Sequence, residues 1–127
     1  MSRSVLLQIA RDSIQEVLEA NRTIDRQLLV EQHPLLNEKI ATTVNLYIED
    51  ELRGSSSTKM PSFSLIDDII KNAKQSAFEN ESFPPITTSE YLNCELEIVL
   101  LTSDGPISEK DPAILKTTSY SLEDELR

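Results

Sequence analysis

The chain has 127 residues, enough for one domain with its own hydrophobic core but not for two. It carries 12 Lys and Arg against 22 Asp and Glu, and a formal charge of −10 repels phosphate backbones and anionic lipids. Nucleic-acid and membrane partners are therefore not expected. The longest apolar run, at 98–101, is far too short to span a membrane, and the first residues form no signal-peptide core, so we expect a cytoplasmic protein.

Hydrophobic periodicity predicts two helices and three strands. Apolar residues at steps of three and four predict a helix near 4–20 and another near 64–80. Alternation with a period of two predicts a strand near 39–48, followed through a tight turn by a strand near 51–57. A further strand is predicted near 94–102. We therefore expect an α+β fold with a mainly antiparallel sheet and helices packed on one face.

The remaining segments give weaker signals. Residues 24–32 fit a short helix or a connector, since a proline shortly after them ends any helix. A single domain is expected over 1–105. Residues 106–127 contain no run able to form a core and are expected to be a C-terminal extension, with a helical turn or an acidic tail at 121–126.

The sequence offers no clear catalytic or metal constellation. His33 and Cys94 are the single histidine and the single cysteine, so a zinc site would need carboxylates for most of its ligands. No metal or cofactor is therefore expected. Cys94 has no basic neighbour in sequence and is interpreted as a small core residue. Glu95 and Glu97 point to the same side of their strand, about 7 Å apart, on a face that we expect to be solvated.

One stretch, at 52–59, combines cationic groups, a glycine and four consecutive hydroxyls in an otherwise acidic chain. Such a combination can bind a small anion, because a guanidinium offers a fork of donors and a glycine lets the backbone approach. The alternative is a polar strand end and loop without a ligand. A glycine inside a strand also marks a bulge or a close backbone approach. The predicted ligand-binding residues of this stretch are Arg53, Gly54, Ser55, Ser56, Ser57 and Lys59.

The same stretch carries a family resemblance. Leu-Arg-Gly at 52–54 resembles the hallmark Leu-Arg-Gly-Cys-Ile-Gly of the AMME chromosomal-region (AMMECR domain) family. The helix end at 72–78, the Ser-Phe-Pro-Pro-Ile-Thr segment at 82–87 and the strand at 96–101 also resemble the family. The chain departs from the hallmark at 55–57, where three serines replace the cysteine and the following Ile-Gly.

The resemblance implies an α+β fold and an accessory role beside Memo-like or radical S-adenosylmethionine proteins. It also implies that family members continue into a smaller lobe, so this chain is expected to be a C-terminally short form. A sheet edge would then be covered by the tail or by a second subunit. The expected partner is thus another protein, with a homodimer as an alternative.

Three functional hypotheses follow. The leading one is a non-catalytic binding or accessory module that acts with partner proteins. The second is an enzyme acting on a small anionic substrate held by Arg53 and Lys59, with a carboxylate such as Glu97 as the base. The third is a degenerate homologue that folds but has lost the ancestral activity. An enzyme should bring these groups into one pocket, whereas a binding module should present an exposed surface or strand edge.

Overall fold

The computed structural model describes residues 4–114. The predicted helical turn at 121–126, and the part of the predicted extension beyond residue 114, lie outside the described residues. The elements, in chain order, are α1 (Val5–Glu19), α2 (Arg26–Gln32), a 3₁₀ turn (Pro34–Asn37), β1 (Ala41–Ile48), β2 (Glu51–Ser57), α3 (Leu65–Phe78), α4 (Thr88–Leu92), β3 (Glu95–Thr102) and β4 (Gly105–Asp111).

The strands form one antiparallel sheet in the order β2-β1-β3-β4. Helices α1 and α3 pack against each other, and α3 lies directly on β1 and β2. The core lies between this helical layer and the sheet, with Val44, Leu46, Leu96 and Ile98 fully buried. The α+β fold predicted from the sequence is confirmed. We call the opposite side of the sheet the open face, and none of the described helices covers it. Along each strand, successive side chains point in turn to the core side and to the open face.

A two-residue turn joins β1 to β2. Ile48 pairs with Glu51, and the two residues between them, Glu49 and Asp50, have φ of 52° and 68°. A two-residue turn with positive φ at both central positions matches the right-handed twist of the two strands that it joins. Aspartate tolerates positive φ better than most residues. The turn therefore forms where the sequence predicted it, without the favoured Asn-Gly pair.

A β-bulge and a close helix contact meet in β2. Leu46 pairs with Gly54 but Tyr47 pairs with Leu52, so Arg53 is an extra residue in the strand. A Cβ on Gly54 would lie 2.0 Å from the backbone oxygen of Ser76 in α3. Both features that a glycine in a strand indicates, a bulge and a close approach, are thus present around Gly54.

A buried carboxylate fastens α3 to this hairpin. Asp68 is 1% exposed and accepts hydrogen bonds from the Thr42 N–H at 2.8 Å, the Thr42 hydroxyl at 2.7 Å and the Thr58 hydroxyl at 2.7 Å. Asn72, one turn later on α3, donates to the Thr42 carbonyl and to the Thr58 hydroxyl, each at 3.0 Å. A buried polar group is tolerated when its hydrogen bonds are made, and this network fixes the helix relative to two strands.

Strand β4 was not predicted from the sequence. Its seven residues, Gly105–Asp111, include a proline and only one large apolar side chain, Ile107, which is 52% exposed. Proline is accepted here because β4 is an edge strand of the described sheet. Its last residue, Asp111, receives a 2.6 Å hydrogen bond from the buried Arg11 of α1, which ties the strand to the helical layer. Within residues 4–114, every helix is too short or too polar to cross a bilayer.

Candidate functional site

The bulge divides the predicted ligand-binding stretch between the two sides of the sheet. At the bulge, the two successive residues Arg53 and Gly54 of β2 lie opposite a single residue of β1. Both therefore face the helical layer, and both are buried. Leu52 and Ser55, on either side of them, are exposed on the open face. Lys59 lies beyond the strand and is exposed. The structure therefore does not bring the six residues into one pocket, and whether they bind a ligand stays a prediction.

Arg53 is held by the segment that follows α3. Its Nε donates to Glu90 Oε2 at 2.9 Å, and its Nη2 donates to Glu90 Oε1 at 3.1 Å and to the Pro84 carbonyl at 2.8 Å. Its guanidinium also lies 5.3 Å from the ring centroid of Phe83. The hydrogen bond from Arg53 lowers the pKa of Glu90, against a smaller opposing effect of burial. This arginine fixes the extended Phe-Pro-Pro segment and α4 onto the strand.

The three serines have different surroundings. Ser56 faces α3, where its hydroxyl lies 2.8 Å from Asn72 Oδ1 and 2.9 Å from Gln75 Oε1. The hydroxyls of Ser57 and Thr43 share a 2.7 Å hydrogen bond on the open face. Ser55, also on the open face, donates to Asn45 Oδ1 at 2.6 Å. The position that the family resemblance assigns to the hallmark cysteine is thus on the open face, away from the arginine that precedes it by two residues.

Glu97 forms the centre of a polar cluster on the open face. Its Oε1 accepts hydrogen bonds from Asn45 Nδ2 and the Tyr47 hydroxyl, each at 3.1 Å, and its Oε2 accepts one from the Ser108 hydroxyl at 2.8 Å. Ser55 extends the cluster through Asn45. We call these five residues the Glu97 cluster. Strand pairing creates it, since Asn45 is the partner of both Ser55 and Glu97.

These hydrogen bonds stabilise the ionised form of the carboxylate. The hydrogen bond from Ser108 is the largest influence on the pKa of Glu97, and with those from Asn45 and Tyr47 it outweighs burial, so the pKa is lowered. The pKa of Tyr47 is raised, first by burial and then by its hydrogen bond to Glu97. A carboxylate in this state is a fixed hydrogen-bond acceptor. The lowered pKa also makes Glu97 a weaker base than a free carboxylate, which does not favour the general-base role considered for it.

The sequence indicated Glu97 as a candidate but not its partners. Asn45, Tyr47 and Ser55 could have been identified from the alternation of side chains together with the correct pairing of the predicted strands. Ser108 could not, because it belongs to β4, which the sequence does not signal.

Cys94 is a core residue, as the sequence predicted. Its side chain is fully buried, and burial raises the pKa of the thiol to about 11, although the nearby guanidiniums of Arg11 and Arg53 act in the opposite direction. It is therefore not an activated nucleophile. Within residues 4–114, no three side chains of His, Cys, Asp or Glu lie together so as to hold a metal ion. His33, the other residue considered for chemistry, is exposed.

The fold and these contacts define a class of small α+β domain in which a half-covered antiparallel sheet carries a bulged Leu-Arg-Gly strand. The AMMECR1 family model matches residues 7–122, and the chain belongs to this family. The resemblance drawn from the Leu-Arg-Gly and Phe-Pro-Pro segments is confirmed.

Two curated relatives and one solved structure show how similar other members of this family are to the chain. A protein of Sulfolobus acidocaldarius is 33% identical over 111 residues, a match that covers 84% of this chain and 47% of the relative. Protein PH0010 of Pyrococcus horikoshii is 31% identical over 114 residues, covering 83% of this chain and 54% of that protein. The crystal structure of PH0010, described as an uncharacterized protein, superposes with a TM-score of 0.67 at 29% identity, covering 76% of this chain and 49% of the other. The chain thus spans about half the length of these relatives.

Proposed function

We propose that this chain is a non-catalytic binding module that acts together with another protein. The observation that supports this most directly is the open face of the sheet, where an ordered polar cluster lies among exposed apolar side chains. A sheet face of this kind is a contact surface rather than an enclosed pocket.

The composition of the open face fits a protein contact. Leu52 on β2 is 48% exposed and Leu101 on β3 is 41% exposed, and Val99 lies half-buried on the same side as Leu101. Between these apolar side chains, the Glu97 cluster offers groups whose orientation is already fixed by hydrogen bonds. Apolar contacts with ordered polar groups among them are the usual make-up of a non-obligate interface, and ordering before binding lowers its entropic cost.

The side chains that catalysis would require are not in a reactive state. Ser55 donates to an amide oxygen, which cannot take its proton, so the hydroxyl is not activated as a nucleophile. Glu97 has a lowered pKa, and the Cys94 thiol is buried with a raised one. Arg53 already binds Glu90 through two nitrogen atoms. These assignments favour binding over catalysis.

The partner class comes from the family resemblance, and we propose a Memo-like or radical S-adenosylmethionine protein of the same cell. The test is direct binding of such recombinant proteins to the wild-type chain and to the variants Leu52→Arg and Leu28→Arg. Leu28, on α2, is 47% exposed, nearly the same as Leu52, and its replacement by arginine adds the same charge. It lies away from the open face and therefore serves as the control.

Loss of binding in Leu52→Arg with retention in Leu28→Arg is the expected result. Equal behaviour of the two variants would contradict the proposed surface. Turnover of a metabolite by the purified chain alone would contradict the non-catalytic assignment.

A second candidate function is a small-anion site at Arg53, as in an enzyme or sensor of an anionic metabolite. It is favoured by one observation: Nη1 of Arg53 is buried and has no hydrogen-bond partner among residues 4–114. Thermal unfolding with inorganic phosphate tests it in the wild type and in Arg53→Lys, which keeps the charge but loses the fork of donors. A stabilisation by phosphate that Arg53→Lys abolishes would support this candidate, and no stabilisation of either protein would remove it.

A further inference from the structure

We propose that the open face binds a basic surface of its partner protein, with a lysine or arginine side chain placed against the carboxylate of Glu97. This inference rests on the proposed function, which assigns the open face to a protein partner. It adds the chemistry of that partner, and it follows from the charges and contacts around Glu97.

The donors that hold Glu97 are neutral. An amide, a phenol and a serine hydroxyl fix both carboxylate oxygens at 2.8 to 3.1 Å, but they bring no positive charge to the site. Neutral hydrogen bonds orient the carboxylate and keep it ionised without cancelling its charge. A carboxylate has room for about four hydrogen bonds, so the three that are made leave capacity for a charged donor. Glu97 is therefore oriented in advance for a cation.

Further acidic groups lie at the same end of the sheet. Glu95 is two residues from Glu97 on the same side of β3, about 7 Å away by strand geometry. It pairs with Tyr47, two residues before the hairpin turn, where three acids follow one another at 49–51. A cation, Lys110, faces them from β4, where it pairs with Glu97 and contributes to lowering the pKa of that carboxyl. Among the described residues at this end of the open face, Glu95 and Glu97 thus outnumber Lys110, and the three acids at the adjacent turn and strand start add negative charge nearby.

Charge also distinguishes between the molecules that could bind to the open face. The whole chain carries −10, so a second copy placed face to face would bring two negative surfaces together. A nucleic acid is repelled in the same way. A partner with one or more cations among apolar side chains complements both the carboxylate and the exposed Leu52 and Leu101. Such complementarity raises the association rate and makes binding weaken as salt increases.

The experiment uses a short fluorescent peptide of alternating arginine and valine as the probe, with a peptide of alternating glutamate and valine for comparison. Fluorescence anisotropy measures their affinity for the full chain and for its variants at several salt concentrations. We expect salt-dependent binding of the basic peptide, weakened about fivefold by Glu97→Gln, as for the loss of one partly exposed ion pair. Lys110→Gln removes the competing cation and should strengthen binding about twofold.

Glu109→Gln is the matched control. Glu109 is on β4, opposite Ile98 and therefore on the core side of the sheet, and its substitution changes the net charge by the same amount. It should alter the affinity less than Glu97→Gln does. Thermal unfolding verifies that each variant is folded, and Lys110→Gln provides an independent test if Glu97→Gln does not fold.

Several results would overturn the inference. Equal weakening by Glu97→Gln and Glu109→Gln would show a general attraction to an acidic protein. Absence of binding to the basic peptide, or a preference for the acidic one, would exclude a basic partner. A dimer in sedimentation that Leu52→Arg dissociates would show that the occupant is a second copy. If the Memo-like or radical S-adenosylmethionine partner still requires Leu52 while the peptide assay fails, the proposed function stands and only this inference falls.

Discussion

Replacing Gly54 by alanine should destabilise this domain strongly, although it adds only one methyl group. The added Cβ would lie 2.0 Å from the Ser76 oxygen and 3.0 Å from its carbonyl carbon, whereas ordinary contact begins at 3.4 Å. The obstacle is the backbone of α3, not the end of a flexible side chain, so α3 or β2 must move by about 1.4 Å. That movement would strain the hydrogen bonds that Asp68 accepts from Thr42 and Thr58, and the contact between α3 and the strand that carries Arg53.

We expect a loss of about 3 kcal/mol in the free energy of unfolding, the upper part of the range for overpacked cores. Urea denaturation followed by circular dichroism measures it, with the wild-type slope as the check that unfolding remains two-state. Gly105→Ala is the control, since its Cβ meets nothing within 4 Å and only the φ of +118° opposes it. It should cost about 1 to 2 kcal/mol. A Gly54→Ala protein within about 1 kcal/mol of wild type would refute the close approach of α3 to β2.

Three further predictions concern buried and charged groups. Asp68→Ala should cost about 3 kcal/mol in urea denaturation because it leaves several buried donors unpaired, whereas Asp67→Ala, at a half-exposed neighbour, should cost less than about 1. Cys94 should resist a thiol reagent in the native protein at about pH 8 and react once guanidinium chloride unfolds the chain. Glu90 has a lowered pKa, so its stabilising effect is present above its ordinary pKa of 4.5 and is lost as the pH falls through its folded value. The difference in stability between wild type and Glu90→Gln should therefore shrink below about pH 4.5 and stay constant above it.

The parts of the fold with strong periodicity were predictable from the sequence. Helices α1 and α3 show apolar residues at helical steps, and β1 alternates, so each element reveals its buried side locally. Gly54 also gave a usable signal, since a glycine inside a strand usually marks a bulge or a close backbone neighbour. These features depend on residues within a few positions of each other.

The contacts that define the two sides of the site were not predictable in the same way. Arg53 pairs with Glu90, 37 residues later, through a segment whose path depends on the packing of α3. Strand β4 lacks periodicity because it is an edge strand with few apolar residues, and Ser108 was missed with it. Both contacts depend on tertiary packing that no local pattern records.

The bulge at Arg53 places that arginine on the opposite side of the sheet from Ser55, the position that the family resemblance assigns to the hallmark cysteine. Without the extra residue, strict alternation from Ser55 would turn Arg53 to the open face and Leu52 towards the helices. With it, the arginine is clamped by Glu90 while Ser55 lies beside Asn45 and Glu97. Where the family resemblance implies a cysteine, the serine of this chain therefore lies on the open face, apart from the arginine contacts. Its hydroxyl donates a hydrogen bond into the Glu97 cluster, a bond that a thiol makes only weakly. This departure thus alters the surface that we propose contacts the partner.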